Sequence, residues 1–228
     1  MKIANNVEML EINGENGTLY PVLMWDDTEL VLVDAVLPGQ LEVLREAVSK
    51  AGFPLEKITK VIITHQDMDH IGCAKILSEL GAEIFAHETE APYIQGDKTS
   101  VRILDMEARL HEMNEDERAF YERVKMGAPY FFVHVDRLLN DGETLDFCGG
   151  VKIIHTPGHM PGHIALLLEQ SNILIAGDAA NIQDGALVGA NPQYSQDMQE
   201  AQVSFEKLLN SKPASVVCYH GGLISING

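Results

Sequence analysis

The chain is short of positive charge, cysteine and aromatic residues, and it has no long apolar run. Sixteen Lys and Arg stand against 34 Asp and Glu, a formal net charge of −18. A surface that acidic repels phosphate backbones and anionic bilayers, and the basic residues are scattered singly, so neither nucleic acid nor membrane is an expected partner. No apolar stretch approaches the roughly eighteen residues needed to cross a bilayer. The opening Met1-Lys2-Ile3-Ala4-Asn5-Asn6 lacks the apolar core of an export signal. Cys73, Cys148 and Cys218 are an odd number with no two close in sequence. Reduced thiols and a cytoplasmic location are therefore the expectation.

What is present is ordinary globular material: 228 residues, 46% hydrophobic and 22% charged. One domain over residues 1–228 is the reading these values favour. Short apolar runs alternate with amphipathic stretches. Strands are expected at 7–12, 19–25 and 29–33, with turns at Asn13-Gly14 and Asp26-Asp27. A helix opened by Pro38 places Leu41, Leu44 and Val48 on one face and ends before Gly52. A buried strand at 60–63 leads through a polar loop to a helix carrying Ile76, Leu77 and Leu80, then to a strand at 83–86.

Residues 87–130 read as a helical insertion. Ile103, Met106, Leu110 and Met113 recur at helical spacing. Asn114 and Glu117 have the spacing of a capping box, starting a further helix with Phe120, Val124 and Met126 inward. Strands are expected again at 130–135, 144–147, 151–155, 164–168 and 172–176. A last helix with Met198, Ala201, Phe205 and Leu208 on one face precedes a strand at 214–219.

The plan repeats loosely. Leu30-Val31-Leu32-Val33-Asp34 runs through a helix into Val61-Ile62-Ile63 and then His65. Ile173-Leu174-Ile175-Ala176-Gly177-Asp178 runs through a helix into Val216-Val217-Cys218 and then His220. This suggests an α/β fold of two related halves whose polar strand ends converge on one edge. Four donors crowd into His65-Gln66-Asp67-Met68-Asp69-His70, directly after a strand; taken alone, Asp69 there has the alternative of simply capping a helix. The turn His155-Thr156-Pro157-Gly158-His159-Met160-Pro161-Gly162-His163 also follows a strand and can aim an imidazole. Buried carboxylates and imidazoles at four strand ends would stay unpaired without a cation, which is costly.

Together these segments resemble the metallo-β-lactamase superfamily. The order Asp34, His65-x-Asp67-x-Asp69-His70, His159, Asp178 and His220 follows that family's five motifs over nearly the whole chain. The resemblance implies a four-layer αββα sandwich with metals at one edge of the sheets. It implies one divalent ion on His65, Asp67 and His159, and a second on Asp69, His70 and His220, with Asp178 between them. Asp34 would orient a ligand through hydrogen bonds, and His155 and His163 would support the ligand turn. His87, His111 and His134 have no part in the pattern.

One position departs from it. The family usually has His where this chain has Asp67, and a related oxygen- and nitric-oxide-reducing branch has Glu there with two irons. Zn is the expected ion, with Mn or Fe made more competitive by the carboxylate. Two divalent ions would bring four positive charges, matched by Asp67, Asp69, Asp178 and a bridging hydroxide, so the core would be neutral and less acidifying than the His form. Alternatively Asp67 is too short to ligate well.

The activity implied is hydrolysis of a small ester-like substrate, a lactone or thioester, by a metal-bridging hydroxide. Asp69 would orient the hydroxide or shuttle its proton. Tyr194, in Asn191-Pro192-Gln193-Tyr194, is a candidate donor to the developing oxyanion or else a packing residue. The insertion would wall the pocket with Met106, Met113, Phe120, Met126, Tyr130, Phe131 and Phe132, or use them as its own core or in a homodimer contact. The rival readings are an iron-dependent redox enzyme of the same fold, a diiron reductase or a sulfur dioxygenase, and a non-catalytic metal-binding member. Cys218, two residues before His220, is read as a buried strand thiol.

Overall fold

A computed structural model describes residues 1–14 and 17–226. Its larger sheet has seven strands in the order Lys2–Ala4, Val7–Met9, Val22–Trp25, Leu30–Val33, Lys60–Ile63, Glu83–His87 and Arg137–Leu139. The first four pair antiparallel and the last four parallel. The second sheet runs Thr144–Leu145, Val151–His155, Ile164–Leu168, Ile173–Ile175, Ser215–Cys218 and Gly222–Ser225, antiparallel except where Ile173–Ile175 lies beside Ser215–Cys218.

Strands that are apolar on both faces belong where both faces are covered. Val22, Met24, Val31, Val33, Ile62 and Phe85 meet Val151, Ile153, Ile164, Leu166, Ile175 and Val217 between the sheets. On the outer face of the larger sheet, Leu23, Leu32, Val61, Ile63 and Ile84 pack against Leu44 and Val48 of the helix Leu41–Lys50 and Leu77 of the helix Ala74–Glu79. Outside the second sheet, Ile154, Leu174 and Val216 pack against Leu208 of the helix Met198–Asn210. These are the four layers of an αββα sandwich.

The two parallel pairs are the repeated units of the sequence. Leu30–Val33 beside Lys60–Ile63 delivers Asp34 and His65, and Ile173–Ile175 beside Ser215–Cys218 delivers Asp178 and His220. Parallel neighbours end at the same edge, so all four polar residues emerge together.

Several expectations are corrected. The run expected as one strand at 7–12 stops at Met9, and Ile12–Gly14 pairs instead with Gly17–Leu19 in a small hairpin. Asn13 and Gly14 are therefore strand residues, and residues 15 and 16 between the two strands lie outside those described. Residues 130–135 are not a strand: Ala128–Tyr130 is a 3₁₀ turn, and pairing with Glu83–His87 falls to Arg137–Leu139. Val133 N–H donates to Ile94 O and Val135 N–H to Gln95 Oε1, so these amides are satisfied without a sheet. Ile76 and Leu80 are exposed beside buried Leu77.

Between the parallel neighbours Glu83–His87 and Arg137–Leu139 lie the helices Ala91–Ile94, Val101–Ala108 and Glu115–Gly127. The Asn114–Glu117 capping box is present, with both reciprocal hydrogen bonds. The last two helices pack their own small core around Ile103, Tyr121 and Ala128, with Met106, Leu110, Met113, Val124 and Phe132 against it. Tyr121 faces inward, whereas Phe120 and Met126, expected inward, are exposed.

Candidate metal centre

At the shared strand edge seven donors converge. Three overlapping sets, His65–Asp67–His159, His65–His70–Asp178 and Asp69–His70–His220, each bring their ligand atoms within 4.8 Å of one another. His65 Nε2, His159 Nε2 and Asp67 Oδ2 stand 3.2–3.3 Å apart. That is the edge of a tetrahedron of bonds about 2.0 Å long, the usual zinc–nitrogen and zinc–oxygen distance. Beside it, His220 Nε2 is 3.3 Å from Asp69 Oδ2 and 3.2 Å from Asp178 Oδ2. Asp178 also lies 3.7 Å from His70 Nε2 and 3.6 Å from His159 Nε2, so it sits between the two groups.

The donors suit cations in what they lack. Among the described residues, His70 Nε2 and Asp178 Oδ1 are buried with no hydrogen-bond partner, a costly arrangement unless an ion completes it. Imidazole and carboxylate donors on this spacing suit divalent zinc, manganese or iron.

Outer contacts aim these donors. Asp34, buried and in the left-handed region at φ 65°, accepts from Thr64 N–H at 2.8 Å and from Thr64 Oγ1 at 2.9–3.0 Å, and lies 2.9 Å from His70 Nδ1. Thr64 Oγ1 is also 3.1 Å from His65 Nδ1. With the hydroxyl proton given to Asp34, Thr64 accepts from His65 Nδ1–H while His70 Nδ1–H donates to the carboxylate. One carboxylate thus fixes the tautomers of two imidazoles and turns both Nε2 lone pairs to the site. His163 plays the matching part in the other half: its Nε2 accepts from Asp178 N–H at 3.0 Å while Nδ1 meets Thr156 Oγ1 at 2.7 Å. A Cβ at Gly177 would come within 2.6 Å of that Nε2, so glycine is required there. Tyr219 donates to Asp69 O at 2.7 Å and lays its ring 4.0 Å from that of His70.

Electrostatics follow burial and charge. Burial opposes a charged His70, yet Asp34, Asp69 and Asp178 outweigh it and raise the imidazole well above its ordinary range. Burial likewise opposes His220, but Asp178 and Asp69 lift it to about 9. His65 is lowered, by burial first and then by His70. Burial would raise Asp67, but hydrogen bonds from His159, His65 and Arg102 hold it well below the carboxylate range.

Arg102 is the residue that the sequence reading missed. From the first turn of the helix Val101–Ala108 its Nε donates to Asp67 Oδ1 at 2.8 Å, and its Nη2 donates to Oδ2 and lies 3.3 Å from His159 Nε2. Nothing in the spacing marks it, because it comes from the insertion. Gln66, also unremarked, links the same elements: its Oε1 accepts from Val101 N–H at 2.9 Å, and its Nε2 donates to Glu90 at 3.1 Å. Buried Glu90, raised to about 7 by desolvation, also accepts from Gly162 N–H at 2.8 Å.

Five of the donors, Asp67, Asp69, His159, Asp178 and His220, line a cavity of about 590 Å³ together with Met106, Phe120 and Val124. Tyr194 is half exposed on its rim, at the junction with a second cavity of about 580 Å³ that also includes Arg102 and Met106. His155 bonds Pro161 O at 3.0 Å and stacks on buried His87 at 4.2 Å, while His111 is exposed and His134 bonds Gln95. Burial pushes the Cys218 thiol up to about 12, so it stays protonated.

Fold and donors together define an αββα sandwich with candidate metal-binding groups at one sheet edge. The chain belongs to the metallo-beta-lactamase superfamily, whose family model matches residues 20–220. Among its relatives is YobT of Bacillus subtilis, 30% identical over 217 residues that cover 89% of this chain and 84% of the relative. The probable metallo-hydrolase YflN of the same organism is 29% identical, covering 84% and 75% respectively. A metallo-beta-lactamase family protein of Thermus thermophilus shares the fold, with a TM-score of 0.78 at 23% identity over 98% of this chain and 76% of that one. Among the described residues no helix is long and apolar enough to cross a membrane.

Proposed function

We propose that the chain is a metal-dependent hydrolase of a small ester-like substrate, a lactone or thioester. The observation that carries this reading is the pair of buried donor atoms on His70 and Asp178, without a hydrogen-bond partner among the described residues, in a donor cluster whose Asp67, Asp69, His159, Asp178 and His220 line a cavity with Met106, Phe120 and Val124. His65, Asp67 and His159 would hold one divalent ion, zinc first among the candidates, and Asp69, His70 and His220 a second, with Asp178 shared. When bound, such ions supply Lewis acidity at a scissile carbonyl and make an attacking water acidic enough to act near neutral pH.

The chain's own groups do the rest. Asp69, a quarter exposed, faces the cavity between His70 and His220 and can take the proton of the attacking water. Tyr194 on the rim can donate to the oxyanion that forms. Met106, Phe120 and Val124 hold an acyl chain and exclude water from it. The acidity of the chain favours an uncharged substrate over a phosphoester polymer.

The test is metal content by plasma mass spectrometry on untagged protein, followed by an ester, lactone and thioester panel. Bound zinc or manganese and turnover of a panel member, lost in Asp178→Asn, is the expected result. Iron with oxygen uptake and no hydrolysis would replace this reading with a redox one.

A further inference from the structure

Asp67 and Arg102 form a partly buried, two-pronged ion pair, with side chains 13% and 26% exposed, directly on the His65–Asp67–His159 donor set. A guanidinium in this place is unexpected on electrostatic grounds, since it repels the cation for which the three donors are spaced. Its place is not accidental to the helix that carries it: Val101 N–H is pinned by Gln66 Oε1, so consecutive motif residues, Gln66 and Asp67, grip consecutive helix residues, Val101 and Arg102. The same Asp67 oxygen that faces His65 and His159 is the one that receives Nη2.

We propose that Asp67 and Arg102 act as one unit at the first metal position, a carboxylate ligand whose charge is cancelled by its own arginine. Replacing a neutral imidazole by a carboxylate adds one negative charge, and the guanidinium removes it again. The pair therefore carries the net charge of the histidine that the family usually has. Arg102 is in this sense a positioning residue that tunes metal affinity: it competes with the ion for Asp67 Oδ2 and offsets the pull of the carboxylate. The proposal rests on the metal reading above, and it makes the first position the weaker of the two.

The decisive experiment is a titration of metal-stripped, untagged protein with Zn²⁺ and Co²⁺ against a chromogenic chelator, giving two binding constants for each variant. Arg102→Gln should tighten the weaker constant by about tenfold or more and leave the tighter one unchanged. Asp67→His restores the family's ligand, yet here it should loosen the weaker constant, because Arg102 then faces the ion without its carboxylate. The double variant Asp67→His/Arg102→Gln should return it to within about threefold of the unaltered protein, a non-additive cycle.

Melting curves of the metal-free proteins identify any variant that fails to fold. If Arg102→Gln is lost in this way, the sign of the Asp67→His effect alone decides. Tightening in Asp67→His, or an unchanged weaker constant in Arg102→Gln, overturns the proposal while leaving the metal reading intact. Failure of the unaltered protein to bind either ion removes both.

Discussion

The two donor groups meet at Asp178 but differ in how their charge is balanced. At the first position His65 is held neutral by burial, and the carboxylate of Asp67 is already engaged by Arg102. At the second, Asp34, Asp69 and Asp178 act on His70, and Asp178 and Asp69 on His220, and among the described residues none of these carboxylates has a lysine or arginine at salt-bridge distance. The first is a preformed triangle closed by an arginine, and the second is an open, electron-rich cluster with orphaned donors. Similar donor types thus make two groups whose charge is balanced in different ways.

The largest effect that should break the comparison is at the shared residue. Asp178→Asn removes charge from both groups, and hydrolysis should fall by more than about 100-fold, beyond the range typical of residues that only support a ligand. Kinetics together with metal stoichiometry check this; retention of both ions with full activity would refute the bridging assignment.

Asp34→Asn comes next. It keeps the shape of the carboxylate but weakens the hold on His70 Nδ1–H and on Thr64, so metal affinity should drop by about 10–100-fold. The loss should be greater at the second position, where Asp34 touches the ligand directly, than at the first, which it reaches only through Thr64. The chelator titration resolves the two.

Acidity should sharpen the contrast. His220 carries a proton below a value of about 9 in the metal-free protein, and an ion must displace it. Affinity at the second position should therefore rise with pH between 6 and 8, by about tenfold per unit for each proton released. At the first position His65 is lowered and Asp67 is ionised throughout that window, so these two ligands should add little slope. Titrations at several pH values give the two slopes.

The smallest effect belongs to Gln66→Ala. Cutting its hydrogen bonds to Val101 and Glu90 should cost about 1–2 kcal/mol in denaturant unfolding. It should disturb the first position, through Arg102, and spare the second.

Much of this was legible in the sequence because the ligands cluster at strand ends, where a short loop turns consecutive residues to one edge. The strand–loop pattern placed Asp34, His65, His70, His159, Asp178 and His220 at strand ends, and the resemblance to the family gave them their expected roles. Arg102 was invisible because its meaning arises 35 residues from its partner in an insertion with no motif of its own. Phe120 carried two readings, insertion core by its helical spacing or pocket wall, and it lines the cavity while its neighbour Tyr121 fills the core. Residues 130–135 have strand-like side chains, but the carbonyl of Ile94 and the amide of Gln95 satisfy their backbone before a sheet can.

The grip of Gln66 and Asp67 on Val101 and Arg102 bears on how the molecule can be taken apart. Lids over binding pockets are commonly treated as modules, exchangeable to retune substrate choice while the metal core is left alone. Here the exchange would not be neutral. A graft lacking Arg102 would strand Asp67 as an unbalanced charge, and transplanting 87–130 onto a core with histidine at the matching place would set a free guanidinium against an ion. Engineers wishing to move the helices of 87–130 must move residues 66 and 67 with them, as a single transplantable unit.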